Sequence, residues 1–166
     1  FIFIGLVVAA FACVNTYNKI VDFKENRRYA EVGQATSVAM SATVAMSLER
    51  SVTQVSLALA DPTPRAFRDI INDQRDIASD GLQAAIQMIS SSEFLSTRDE
   101  FEQQTQSAID SMFKLRKEVD TMLTQPKSDR NPQRSYNVPY EIKAEVVSLR
   151  NATDLLRNHL AISTSL

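Results

Sequence analysis

The stretch FEQQTQSAIDSMFKLRKEVDTM, residues 101 to 122, carries apolar or small residues at Phe101, Thr105, Ala108, Met112, Leu115, Val119 and Met122. The steps alternate strictly between four and three, which is the period of a helix with one buried face and incompatible with the alternation of a strand. Thr97 and Glu100 stand three apart just before it, the spacing of a capping box, so the helix starts there. Proline punctuation sets the remaining limits. All five prolines fall in two places, Pro62 and Pro64, then Pro126, Pro132 and Pro139, and the serine-rich run SSSEFLS at residues 90 to 96 supplies a third break.

Four helices result. The first runs from the N-terminus to about Ala60, with an expected seam at Val38, Ala42, Ala45, Leu48, Val52, Val55 and Leu59. A second, weaker stripe, Ala39, Met46 and Leu57, lies on another side and suggests packing against a further partner such as the same helix of a second protomer. The second helix, residues 64 to 90, turns Phe67, Ile70, Ile71, Ile77, Ala78, Leu82, Ala85, Met88 and Ile89 inward, with Gly81 permitting a close helix contact. The fourth is expected to open at Asn137 and Pro139, a cap followed by a first-turn proline, and to continue through Ile142, Val146, Leu149, Thr153, Leu156 and Leu160. Segments of roughly 27 residues, about 40 Å each at 1.5 Å per residue, predict an all-α, antiparallel up-down-up-down four-helix bundle.

The chain has 166 residues, enough for one domain with a real core. Three glycines and no tryptophan suit helices. A net charge of −2 with mixed signs along the chain argues against a nucleic-acid partner. The single cysteine, Cys13, excludes an intrachain disulfide and CxxC metal or haem motifs.

FIFIGLVVAAFACVNTYN, residues 1 to 18, has no charge before Lys19. A membrane span needs about 20 apolar residues. Residues 1–18 are therefore expected to be the outer part of a transmembrane helix that begins upstream. A signal-peptide core fits less well, because Asn15, Tyr17 and Asn18 make a poor cleavage site, and a pilin start would want glutamate where Gly5 stands. Residues 19–33 then form a membrane-proximal helical extension and residues 34–166 the bundle. Helix 4 heads back towards the membrane, and a second transmembrane helix is expected downstream.

No catalytic constellation is present. His159 is the lone histidine and reads as a partly exposed structural residue rather than a base or ligand. Glu-x-x-His pairs, nucleophile elbows and glycine-rich phosphate loops are absent. The reading is a non-enzyme with no cofactor and no metal. The arginines are more informative. Counted from Ala60, Arg65 and Pro139, Arg50, Arg75 and Arg150 lie ten, ten and eleven residues from the distal helix ends, about 15 to 17 Å down. Arg116 is about 12 Å down by the same rise. Guanidinium forks suit carboxylate, nitrate or phosphate, and four arginines from four helices could converge on a small anion. Arg75 and Arg150 flank their seams; Arg50 points away from its own, and Glu49, closer to the seam, can pair with a neighbouring arginine.

SLERSVTQVSLALADP (47–62), followed by RDIINDQRDIASDGL (68–82), resembles the extracytoplasmic helical sensor domains of bacterial chemoreceptors, histidine kinases and diguanylate cyclases. It is most similar to nitrate-sensing bundles, whose first helix carries Glu-Arg-Gly-x-Ser/Thr before a small-residue apolar run. Glu49, Arg50 and Thr53 match that pattern, and Ser51 stands where glycine is usual. The resemblance implies the periplasmic sensing domain of an inner-membrane signal transducer such as a methyl-accepting chemotaxis receptor. It also implies a small-solute ligand held by Arg50 and an arginine of the fourth helix, a position Arg150 occupies by depth. Helix shifts and a homodimer through helix 1 complete the expectation. The alternative is a membrane-anchored scaffold that holds a partner protein, with the loop TQPKSDRNPQRSYNVP offering Lys127, Arg130, Arg134 and Tyr136 to an acidic surface.

Overall fold

The computed structural model describes the backbone of residues 2–91 and 98–163, and side chains at 13–91 and 98–158. Helix α1 spans Ile2–Ala58, α2 Arg65–Ser90, α3 Arg98–Leu123 and α4 Pro132–Ser163, with a 3-10 turn at Lys127–Asp129. No strand occurs among the described residues. Packing runs round the ring α1–α2–α3–α4–α1, thinnest between α2 and α3, with little across the α1–α3 diagonal. This is the expected four-helix bundle.

Its core has two parts. The distal part gathers Met46 and Leu57 of α1, Ile71 and Ala78 of α2, Met112 and Leu115 of α3, and Val138 and Ile142 of α4. The proximal part joins Val32 and Ala35 to Ile89, Phe101 and Leu156. Before Val32, α1 continues as a stem whose described side chains are exposed over residues 13–20. Among the described residues no helix is long and apolar enough to cross a membrane; the side chains of residues 1–12 lie outside the described set.

Every expected seam position of α3 is buried, and so are those of α4 from Ile142 to Leu156; Thr97, His159 and Leu160 lie outside the described side chains. On α2 the buried face is Ile71, Arg75, Ala78, Leu82, Ala85 and Ile89. Ile70 and Ile77 are exposed instead. Gly81 does serve close approach: a Cβ there would stand 3.0 Å from the Ala42 Cβ across α1 and α2.

Helix α1 is rotated from its expected setting. Of the expected seam, Ala42 and Ala45 are core and Val38 and Val52 pack against it, but Leu48 and Val55 face solvent, while Ala39, Met46 and Leu57 are core as well. The stripe assigned to an outside partner is the one the bundle buries. Hydrophobicity alone misjudged the face because its true core also contains Thr43, Glu49, Thr53 and Ser56, all fully buried. The outward face carries Val44, Leu48 and Val55.

The start of α4 also differs. Asn131 is the cap, its Oδ1 accepting from Arg134 N–H at 3.1 Å, and Pro132 takes the first helical position. Pro139 therefore lies inside the helix. The Asn-x-Pro pattern at 137–139 was the weaker of two similar signals seven residues apart. At the distal end Arg130, 3% exposed, closes the C-terminus of α1. Its Nη1 donates to the carbonyls of Leu57 at 2.9 Å and Leu59 at 3.3 Å, its Nη2 to Asp61 at 3.2 Å, and its Nε to Gln125 at 2.9 Å. A helix end leaves four carbonyls without partners, and α1 has neither glycine nor a basic residue in its last turn to meet them. Arg130 supplies the missing donors from the far loop.

Candidate functional site

Because α1 turns Glu49 inward, a carboxylate lies in the bundle interior with its side chain 1% exposed. Burying an unpaired charge costs several kcal/mol, so the neighbouring helices must neutralise it. Arg75 of α2 donates Nε to Glu49 Oε1 at 2.9 Å. Arg116 of α3 approaches side-on, Nε to Oε1 at 3.0 Å and Nη2 to Oε2 at 2.8 Å. The arginines are themselves held: Arg75 Nη1 donates to Asp120 Oδ1 at 2.6 Å, and Arg116 Nη1 to Ser79 Oγ at 2.9 Å. Two carboxylates and two guanidiniums balance. Three helices are thus tied at one level by directional bonds, which fixes the rotation of α1 more sharply than its small apolar residues can.

One residue on, Arg50 turns to the other side. It is half-buried and lines a cleft of about 170 Å³ between α1 and α4 with Ser47, Lys143, Val146, Val147 and Arg150. Among the described residues Arg50, Lys143 and Arg150 form no ion pair. Three cations facing one small space repel one another, so the space favours a counter-ion. Two planar forks and an ammonium from two helices make the donor set for a small planar or tetrahedral anion; the Ser47 hydroxyl donates to the Thr43 carbonyl at 2.8 Å.

The four arginines of the expected layer therefore do not converge. Arg50 and Arg150 share the α1–α4 cleft; Arg75 and Arg116 share Glu49. Arg75 is on the seam of α2 rather than beside it, and Arg50 flanks the core on the α4 side rather than pointing away. Since α4 starts at Pro132, Arg150 is eighteen residues along it (150 − 132), not eleven, yet it still reaches the cleft of Arg50. Lys143 was missed. Its signal is the seven-residue step to Arg150, which puts the two on one face of α4.

A second polar cluster joins α3 and α4. Arg134 donates Nε and Nη2 to Glu118 at 2.6 Å each, and Nη1 to Glu141 at 2.6 Å. The hydrogen bonds from Arg134 hold the Glu118 carboxyl below the usual range, and the two carboxylates raise Arg134. Nearby, burial pushes Glu145 up, partly offset by a hydrogen bond from Ser111. Tyr136 and Tyr140 stack at 5.1 Å with a tilt of 41°. The loop cations are mostly committed: Arg130 caps α1, and Arg134 is neutralised. No group of three or more His, Cys, Asp or Glu that could hold a metal occurs among the described residues.

No protein-family model, curated protein or solved structure matches the chain.

Proposed function

We propose that this chain is the extracytoplasmic ligand-sensing domain of a membrane-bound signal transducer of the bacterial inner membrane, of the chemotaxis-receptor kind. It binds a small anion between α1 and α4 and signals by a shift of those two helices. The observation that carries the reading is the unpaired cation set, Arg50, Lys143 and Arg150, in one cleft between the first and last helices. An anion there joins two helices that would otherwise repel across the cleft, so it favours the packing in which they are closer. Anchoring by residues 1–18 is supported by their sequence, which is uncharged and almost wholly apolar to Val14.

The domain works as a homodimer through α1. Support comes from the outward face Ser37, Ser41, Val44, Leu48, Ser51, Val55 and Ala58, exposed throughout and spaced four-three-four-three. That 3.5-residue period is the pattern a second, parallel copy of the same helix meets. Glu49 and Arg75, which the sequence placed in the ligand layer, hold the bundle together and position α1 in this reading.

A thermal-shift screen of the protein against nitrate, nitrite and small carboxylates tests the ligand class. Stabilisation by at least one anion at concentrations where chloride does nothing is expected; a flat response across the set contradicts the proposal. The same outward α1 face favours a second reading, a membrane-anchored scaffold for another protein. A transmembrane helix and signalling module encoded beyond Leu166 would speak for the sensor over the scaffold. The scaffold's acidic-partner loop has little left to offer, since Arg130 is buried and Arg134 is paired.

A further inference from the structure

A large cleft lies on the stem, not in the bundle. It measures about 550 Å³ and is lined by Lys19, Ile20, Phe23, Lys24, Arg27 and Ser91, among others. At about 100° per residue, Lys19, Phe23, Arg27, Ile20 and Lys24 fall within an arc of about 140°, while Asp22 and Glu25 fall opposite. The stem therefore has a mainly basic, apolar side, where Glu31 also lines the cleft, and an acidic side. Arg27 is steadied by Glu31 at 2.8 Å. Lys19 and Lys24 have no ion-pair partner among the described residues. Ile20 and Phe23 beside them are 50% and 68% exposed, so apolar surface is offered together with positive charge.

The height of this face matters. The apolar run ends at Val14, and Lys19 follows five residues on, about 7.5 Å along the axis. The headgroup layer of one leaflet is about 6 Å thick, half the difference between the full bilayer and its hydrocarbon core. Lys24 and Arg27 stand about 15 and 20 Å along the axis, outside that layer; side chains lean towards the N-terminus, so Lys24 acts on it across about one Debye length. Exposed Tyr17, at 68%, has the amphipathic ring found at membrane interfaces.

We propose that the basic face of the stem is a docking surface for anionic lipid headgroups. It rests on the anchoring of residues 1–18 argued above. Phosphate groups of the adjacent leaflet pair with Lys19 and attract Lys24 from just outside the headgroup layer, while Arg27 stays with Glu31. Because only one side of the stem is attracted, the contact tilts the stem towards that side.

Flotation of the 166-residue protein with vesicles of phosphatidylcholine alone, and of phosphatidylcholine mixed with phosphatidylglycerol, tests this. Wild type is expected to prefer the anionic vesicles, and concentrated salt to abolish the preference. Lys19→Gln with Lys24→Gln is expected to lower the preference about fivefold for each charge, without changing binding to phosphatidylcholine. Asp22→Asn with Glu25→Gln, on the other side, is expected to leave it within about twofold, since a one-sided contact excludes those residues; an equal and opposite effect would indicate mere net charge and overturn the proposal. Equal binding of wild type to both vesicles also overturns it while sparing the anchor. Failure to float with either overturns the anchor as well. Thermal stabilisation by inorganic phosphate with no vesicle preference would reassign the face to a free anion and defeat the lipid proposal.

Discussion

Glu49 and Arg50, consecutive residues of α1, serve different neighbours: Glu49 is buried against Arg75 and Arg116, and Arg50 lines the α4 cleft with Lys143 and Arg150. A helix turns about 100° between adjacent residues. The pair thereby connects the interior clasp to the outer cleft without an intervening hinge. Any change of α1 rotation that moves Arg50 relative to α4 also strains the bonds of Glu49.

Glu49→Gln removes the charge but keeps the shape, leaving Arg75 and Arg116 without their shared carboxylate. The expected loss is about 3 kcal/mol of folding stability, the cost of orphaning buried partners. Chemical denaturation measures it. A loss under about 0.5 kcal/mol, the scale of a surface substitution, would show that the clasp contributes nothing. Replacing Glu49, Arg75 and Arg116 together with leucine or methionine is expected to recover much of the stability, since a packed apolar layer can equal a buried ion cluster.

Arg130→Met keeps the length of the side chain and removes its donors from the carbonyls that end α1. A loss of about 2 to 3 kcal/mol is expected from charged hydrogen bonds in a buried setting. Hydrogen exchange should show faster opening confined first to the last turn of α1 and the loops beside it. Uniform protection with unchanged stability would refute the capping role.

The carboxylates of the α3–α4 groove give opposite pH dependences. The folded state depresses Glu118, so its contribution is complete above the ordinary carboxylate range and is lost as pH falls through the depressed value. Burial raises Glu145, so its penalty is complete above that raised value and disappears in acid. Glu118→Gln is therefore expected to lower the melting temperature at neutral pH, and Glu145→Gln to raise it. Both differences should vanish in acid, below the titration of each group. Thermal melts across pH decide it, and like signs for the two variants would be the contrary result.

Leu48→Glu with Val55→Glu places like charges on the outward face of α1. Both positions are half-exposed in the isolated chain, so folding is expected to survive. Like-charge contact across an interface costs several kcal/mol; the dimer constant, read by sedimentation equilibrium, is expected to weaken about 100-fold. A wild-type protein that stays monomeric at high concentration would remove the dimer from the account.

Helix count and two of the four core faces were legible in the sequence because α3 and α4 bury apolar residues at regular spacing. Helix α1 was legible in length and in part of its face, since Ala42 and Ala45 are core and Val38 and Val52 pack against it as expected. Its inward face mixes alanine with Thr43, Glu49, Thr53 and Ser56, while valine and leucine sit outside, so a rule of apolar residues inward chose the wrong rotation. The same mistake set Arg50 adrift and placed Arg75 beside its seam. A buried Glu49 is intelligible only once Arg75 and Arg116, 26 and 67 residues away, are seen to meet it. That pairing is tertiary and leaves no local periodicity. Lys143 belongs to the legible part: it shares a helical face with Arg150, and depth counted along one helix at a time overlooked it.

In the proposed function, Arg50 and Arg150 hold a small anion between α1 and α4. Isothermal calorimetry with the best anion from the thermal screen, on wild type, Arg50→Ala and Arg150→Ala, decides it. Each substitution is expected to weaken binding by about 10- to 100-fold, the worth of a charged hydrogen-bonding group, while leaving the melting temperature of the unliganded protein nearly unchanged. An affinity unaltered by both substitutions would contradict the claim.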